Sequence, residues 1–291
     1  MNLLRAATLT GSDVGAAVGR FEQWLDYRCI ERGPFDAGLA AAWGAPASAG
    51  CDCAVLQPAS GANVFLRLVE GDSVPGYLPI RTYGWAAIEI NVQDVLATAA
   101  RMEASPFQII GPPKRIPGLP TIHPMQVRGP DAETVYLTEI NGDPALPEAA
   151  SPIDRLFILV LACRDMRATA DWFAQTLGLQ NGESSAIPYS MINKSFDLPP
   201  TELHEIVTAT RAGQIFLEFD QYPAAATDRP RHPQALSPGV AVCTIFHPDF
   251  ASLDLQWGSP PTQREGAIYG GRLSGIARTP EGALLEIVDA G

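Results

Sequence analysis

Hydrophobic and polar positions alternate in four short runs that share one texture: Val64-Phe65-Leu66-Arg67-Leu68, Val135-Tyr136-Leu137-Thr138-Glu139, Ile215-Phe216-Leu217-Glu218-Phe219 and Ala283-Leu284-Leu285-Glu286-Ile287. A period of two predicts a strand with one face buried. Each run follows a turn, such as Ser60-Gly61-Ala62-Asn63 or Thr279-Pro280-Glu281-Gly282, so each closes a hairpin. Earlier in each unit an apolar strand runs into an aspartate: Asp13, Asp94, Asp165 and Asp249. Aspartate is a good N-cap, and apolar residues at helical spacing follow the first three, as in Val14, Val18, Phe21 and Leu25. Behind Asp249 the stretch Phe250 to Trp257 leaves room only for a short helix. Four copies of strand, capped helix and strands are therefore predicted. The proline-rich stretch Pro144 to Pro152 reads as a linker, which divides the chain into residues 1–147 and 148–291, two modules each.

Composition fits this division. A chain of 291 residues exceeds one ordinary core, and 46% hydrophobic with 18% charged residues predicts a globular protein. The net charge of −12 excludes phosphate backbones and anionic membranes as natural partners and favours a small-molecule ligand, with a homodimer left open. Met1 to Asp13 carries no apolar signal core, no run is long enough to span a bilayer, and the five cysteines form no paired framework. A cytoplasmic protein is expected. Dinucleotide, P-loop, nucleophile-elbow and zincin motifs are missing from the sequence. Cys51 and Cys53 form an isolated pair that reads as free thiols, and His232 sits in a solvated connector.

The third unit, with its strand from Ile158, Asp165, the Trp172-Phe173 pair and Leu177-Gly178, resembles the opening of a glyoxalase, bleomycin-resistance or extradiol-dioxygenase module. Pro280-Glu281-Gly282 followed by Leu285-Glu286-Ile287 resembles its ending. The resemblance is to the vicinal-oxygen-chelate superfamily. It implies an α+β fold of four tandem βαβββ modules, forming two half-open, cup-like mixed sheets with helices on the outer face. It also implies a metal held by a histidine or similar ligand on first strands and a glutamate on last strands.

Aligned on the four aspartates, the first-strand ligand positions hold Ala6, Ala87, Ile158 and Val242, none of which binds a metal. The last-strand positions read Arg67, Thr138, Glu218 and Glu286. No metal cofactor is expected from this set. The alternative is one divalent ion held weakly by oxygen near Glu218 and Glu286.

Alternation places Phe65, Arg67, Tyr136, Thr138, Phe216, Glu218, Asp220, Leu284 and Glu286 on the cup side, with Glu89 also inward. A three-residue loop Arg211-Ala212-Gly213 would set Ile206 opposite Glu218 and His204 opposite Asp220, making His204 and Glu218 an acid–base pair or a merely satisfied polar pair. Arg67 and Glu89 would share the N-terminal cup, neutralising each other or holding a carboxylate. The facing of His123 and Arg128 is left open, and Gly111 to Gly118 reads as a loop over a cup mouth.

The candidate catalytic residues are thus His204, Glu218 and Glu286, with Phe216, Tyr189, Arg67, Glu89, Tyr136 and Thr138 binding substrate. The function expected is a metal-independent lyase or isomerase acting on a small carbonyl or aromatic metabolite. The alternatives are a drug-binding protein of the bleomycin-resistance kind and, behind it, a metal-dependent dioxygenase or glyoxalase relative.

Overall fold

The computed structural model describes residues 3–291. Module one comprises β1 (Leu4–Gly11), α1 (Val14–Trp24), β2 (Tyr27–Pro34), α2 (Ala37–Ala42), β3 (Asp52–Pro58) and β4 (Phe65–Glu70). Module two comprises β5 (Gly84–Val92), α3 (Val95–Glu103), β6 (Gln108–Gly111), β7 (Ile122–Arg128) and β8 (Thr134–Ile140). Module three runs through β9 (Ile153–Cys163), α4 (Met166–Leu177), β10 (Gln180–Asn181), β11 (Ser185–Pro188), α5 (Ser190–Ser195), β12 (Leu203–Arg211) and β13 (Gln214–Gln221). Module four holds β14 (Gly239–His247), β15 (Thr262–Gln263), β16 (Leu273–Arg278) and β17 (Leu284–Asp289).

The aspartate caps work as their position suggests. Asp13 accepts from the Ala16 amide, Asp94 from those of Leu96 and Ala97, and Asp165 from that of Ala168, each satisfying free donors at a helix start. Asp249 caps nothing; its carboxylate binds Arg211 at 2.7 Å, and only a 3-10 turn, Phe250–Ser252, follows it.

The described strands form two mixed sheets. One has the order β15-β16-β17-β14-β1-β4-β3-β2 and the other β10-β12-β13-β9-β5-β8-β7-β6. Modules one and four therefore share a terminal cup, joined where β1 runs antiparallel to β14, and modules two and three share a central cup, joined by β5 and β9. Each sheet draws on both halves of the sequence. Arg67 consequently lies in the terminal cup and Glu89 in the central one, so the expected Arg67–Glu89 pair does not form.

One apolar cluster lies beneath the helices and includes Phe21, Met102, Phe173, Leu66, Leu137 and Leu285. The cups have separate apolar floors. Leu39, Trp43 and Ile268 fill the terminal cup, and Met191, Ile192 and Phe196 fill the central one. Between β11 and β12 the chain forms α5, which sends Met191 and Ile192 inward.

Candidate functional site

The register of the third module determines what can meet Glu218. Its hairpin turns on two residues, Ala212 (φ 51°) and Gly213 (φ 78°), and pairs Arg211 with Gln214. Two consecutive positive φ values suit the twist of a tight hairpin, and glycine takes one without strain. Next along the ladder Thr210 pairs with Ile215, but Ala209 pairs with Leu217. Phe216 is the extra residue of a β-bulge. It turns into the cluster beneath the helices instead of the cup, which corrects its assignment to the substrate face.

The same bulge and tight turn shift the ladder. Glu218 faces Thr208, and Ile206 faces Asp220. His204 falls beyond that stretch and pairs with Ile187. Its Nε2 lies 2.6 Å from Asn193 Oδ1, and burial lowers its pKa. His204 is thus a satisfied buried imidazole and not the partner of Glu218.

The parallel ladders settle which positions are equivalent. Thr8, Glu89, Val160 and Thr244 align on the four aspartates, and they pair with Arg67, Tyr136, Glu218 and Glu286 respectively. Tyr136, not Thr138, occupies the last-strand position of module two. Thr138 belongs one step on, level with Asp220.

In the terminal cup Glu286 is buried and fully engaged. Tyr269 donates to it at 3.0 Å, Thr244 at 2.9 Å, Ser274 at 3.3 Å and Trp43 Nε1 at 3.4 Å. Arg67 donates to Tyr269 at 2.8 Å and stacks over Trp43 and Tyr269 at 5.0 and 5.4 Å. Burial works against its charge, but the facing Tyr269 and Glu286 outweigh that and hold the guanidinium above its ordinary pKa. Tyr269 links acid to base, while Arg67 Nη1 is buried without a hydrogen-bond partner. Glu286 and Glu218 stand in different cups, so the three expected catalytic residues do not assemble, and no single ion spans the two glutamates.

The central cup has no such closure. Glu89, Glu218 and Asp220 converge there with Tyr136, Tyr189, Tyr222 and Thr138. Thr138 donates to Glu89, and Tyr189 donates to Glu218 Oε1 at 3.4 Å, its ring 6.4 Å from that of Tyr136. Among the described residues none of the ion pairs involves these acids. Neither oxygen of the fully buried Asp220 has a hydrogen-bond partner of good geometry, nor do the hydroxyls of Tyr136 and Tyr222.

Burial without a cation favours the neutral acid. Burial, then the charge of Glu218, pushes Glu89 up to about 8. Burial raises Glu218, and burial with the two neighbouring glutamates raises Asp220 well above the carboxylate range. Glu218 is half-buried where Glu89 and Asp220 are buried, so it is the acid that reaches outward. Lys114 and Arg115 of the loop Gly111 to Gly118 line a small cavity of about 50 Å³ with Pro124, Gln126 and Tyr189; Tyr189, which donates to Glu218, joins it to the cup, and none of the three acids is on its described lining. His123 instead pairs with Glu139, which accepts from the Val95 amide at the start of α3, so His123 is on the helix side. Arg128 lies opposite Thr134.

The superfamily's metal does not fit these donors. In the terminal cup a buried arginine stands at one ligand position, and the glutamate at the other has its oxygens occupied by four donors. The central cup presents tyrosine, valine and carboxylates where imidazole is needed, and among the described residues no group of three His, Cys, Asp or Glu has a geometry that could hold an ion.

Two mixed sheets, each curled from two βαβββ modules across an antiparallel seam, define a glyoxalase-type architecture. Solved structures agree. A variant of glyoxalase I from Zea mays is similar over 99% of this chain and 93% of its own, with 14% identity and a TM-score of 0.67. Zea mays glyoxalase I itself gives 99%, 92%, 15% and 0.65, and a Bacillus subtilis protein described as a dioxygenase gives 99%, 85%, 11% and 0.63. The chain has the fold of the vicinal-oxygen-chelate superfamily. No family model matches the sequence, and no curated protein does. Among the described residues no helix is long and apolar enough to cross a membrane.

Proposed function

We propose that the central cup is a metal-independent proton-transfer site, and that the chain is a lyase or isomerase acting on a small carbonyl or aromatic metabolite. The observation that carries this reading is the trio of Glu89, Glu218 and Asp220, two of them buried and one half-buried, with no basic side chain in an ion pair with any of them among the described residues. Like charges this close ionise one at a time, so near neutral pH the cup holds both a base and proton donors. Glu218, the most exposed of the three acids, takes a proton from a carbon next to a carbonyl. The electron pair moves to the carbonyl oxygen, which Tyr189 stabilises by its hydroxyl. Protonated Asp220 and Glu89 keep the next proton at hand; where the substrate also carries a C=C bond beside the deprotonated carbon, the carbonyl re-forms as the dienolate takes the proton from Glu218 at the far alkene carbon, and the shifted double bond is the isomerisation.

The test is hydrogen–deuterium exchange, followed by NMR in D₂O, over a panel of small ketones, keto acids and phenols. Exchange that falls by about 100-fold or more in Glu218→Gln supports the reading. Catalysed exchange that survives this substitution overturns it.

A second reading is favoured by the cavity of about 50 Å³ beside Tyr189, whose described lining includes none of the three acids. The chain would then be a non-catalytic binder of small molecules, of the bleomycin-resistance kind. Saturable binding of a panel compound without any exchange supports that alternative.

A further inference from the structure

Although the chain carries a net charge of −12, one pocket of about 330 Å³ at the seam between the cups is lined by three arginines, Arg5, Arg155 and Arg272. Val64 and Phe246 give it an apolar wall, and none of its described lining residues is an acid.

Arg5 is 4% exposed. Its Nε donates to Ile268 O at 2.6 Å and its Nη1 to Asn63 O at 3.0 Å, while Nη2 donates to Ala267 O. It stacks over Phe65 and Phe246 at 4.5 and 4.8 Å. These partners hold the guanidinium in place but are neutral, so its charge goes uncompensated. Arg272 also lies over the Phe246 ring, at 5.6 Å, and donates to Tyr269 O at 3.4 Å. Arg155 has a buried Nε without a hydrogen-bond partner. Its nearest acid, Asp154, is 4.0 Å away and already accepts from Ser60 and the Ala150 amide. Burial, then repulsion from Arg272, brings Arg5 down to about 10. Holding one buried cation beside two half-exposed ones without an anion on the lining is costly, and an anion between them relieves that cost.

The opposite end of the seam is instructive. The internal two-fold relation that carries Ala6 onto Val242 also carries Val64 onto Ala283 and Arg155 onto Gly84, and hence this pocket onto a second cavity of about 360 Å³. That cavity also collects arginines, Arg229, Arg231 and Arg278, but from other positions and with Asp228 and Glu281 on its lining. There the charges are mixed. At the Arg5 end they are not.

We infer that the Arg5–Arg155–Arg272 pocket is a binding site for a small organic oxyanion, a phosphate or carboxylate bearing a short apolar group. The fork geometry of guanidinium matches either head group. Arg155 and Arg272 contact the head, Arg5 supplies a fixed charge behind it, and the apolar part lies on Phe246 and Val64. The size is that of a small-ligand cavity.

Phenyl phosphate, benzoate and inorganic phosphate, titrated calorimetrically at constant ionic strength, test the site and distinguish the two head groups. Phenyl phosphate or benzoate is expected to bind at least about tenfold more tightly than inorganic phosphate and to raise the melting temperature. Arg155→Gln and Arg272→Gln, both at half-exposed positions, should each weaken that binding about tenfold with melting temperature of the free protein unchanged, whereas Arg231→Gln at the other end should not. Binding that is unchanged in both pocket variants, or equally weakened by Arg231→Gln, overturns the inference. So does the lack of any binding at about 10 mM. Arg5 is left intact because its three bonds to backbone carbonyls tie β1 to the segments before β4 and β16.

Discussion

The two cups are built from the same module and differ in how they treat buried charge. In the terminal cup Arg67 and Glu286 occupy equivalent last-strand positions across the pseudo-two-fold, and Tyr269 and Trp43 knit them together. The central cup has Tyr136 and Glu218 at those positions, adds Glu89 and Asp220, and provides no cation. One cup spends its polar groups on each other, as a structural core does. The other leaves acids short of partners, which destabilises a fold and is retained at sites of chemistry. On the proposed function, a scaffold repeated in a single chain separates a stabilising role from a chemical one.

Substitutions that exchange those roles should act in opposite directions. The largest effect is expected from Arg67→Met. It leaves Glu286 buried beside Tyr269 without its facing cation, and a loss of about 3–5 kcal/mol in urea unfolding is the expected outcome. A loss near zero would mean that the terminal cup has no closed charge network.

Glu89→Gln should do the reverse. Because Glu89 is raised to about 8 in the folded chain, the folded state binds its proton more tightly than the unfolded state. The stability that this proton confers is complete below the ordinary carboxylate value and is lost as pH rises through about 8. The variant should therefore match the parent near pH ~4.5 and exceed it by about 2 kcal/mol or more above pH ~8. Thermal unfolding across that range checks the sign, and a parent whose stability climbs with pH in this window would contradict it. The smallest effect is that of Tyr222→Phe, which removes a buried hydroxyl without a hydrogen-bond partner; stability should hold or rise by up to ~1 kcal/mol.

Much of the fold was legible because local signals repeat. The hairpin endings and the caps Asp13, Asp94 and Asp165 mark modules without any knowledge of tertiary structure. Which module faces which was not legible. β1, β5, β9 and β14 are all apolar first strands, and the choice of β1 with β14 and β5 with β9 rests on contacts between strands far apart in sequence.

The site was read in part. Glu89 and Glu218 were expected to face inward, and both reach the central cup, but their juxtaposition waited on the pairing of modules two and three. His204 was misplaced because Phe216 bulges out of the ladder and the turn is one residue shorter than expected, and no propensity in Ile215-Phe216-Leu217 announces a bulge. The arginines at the seam, Arg5 and Arg155, are distant in sequence, and no motif joins them.

The nesting of the sheets also sets an order of events for the newly made chain. The strands of the central cup lie within residues 84–221, so that sheet can close as soon as this stretch is free. β1 to β4 are made before the central strands, and β1 lacks its antiparallel neighbour until β14 follows them. Contacts of such long sequence separation form slowly. Until then the free edge of β1 is an unpaired template that other strands can join, and speed of synthesis and chaperone cover become conditions of yield.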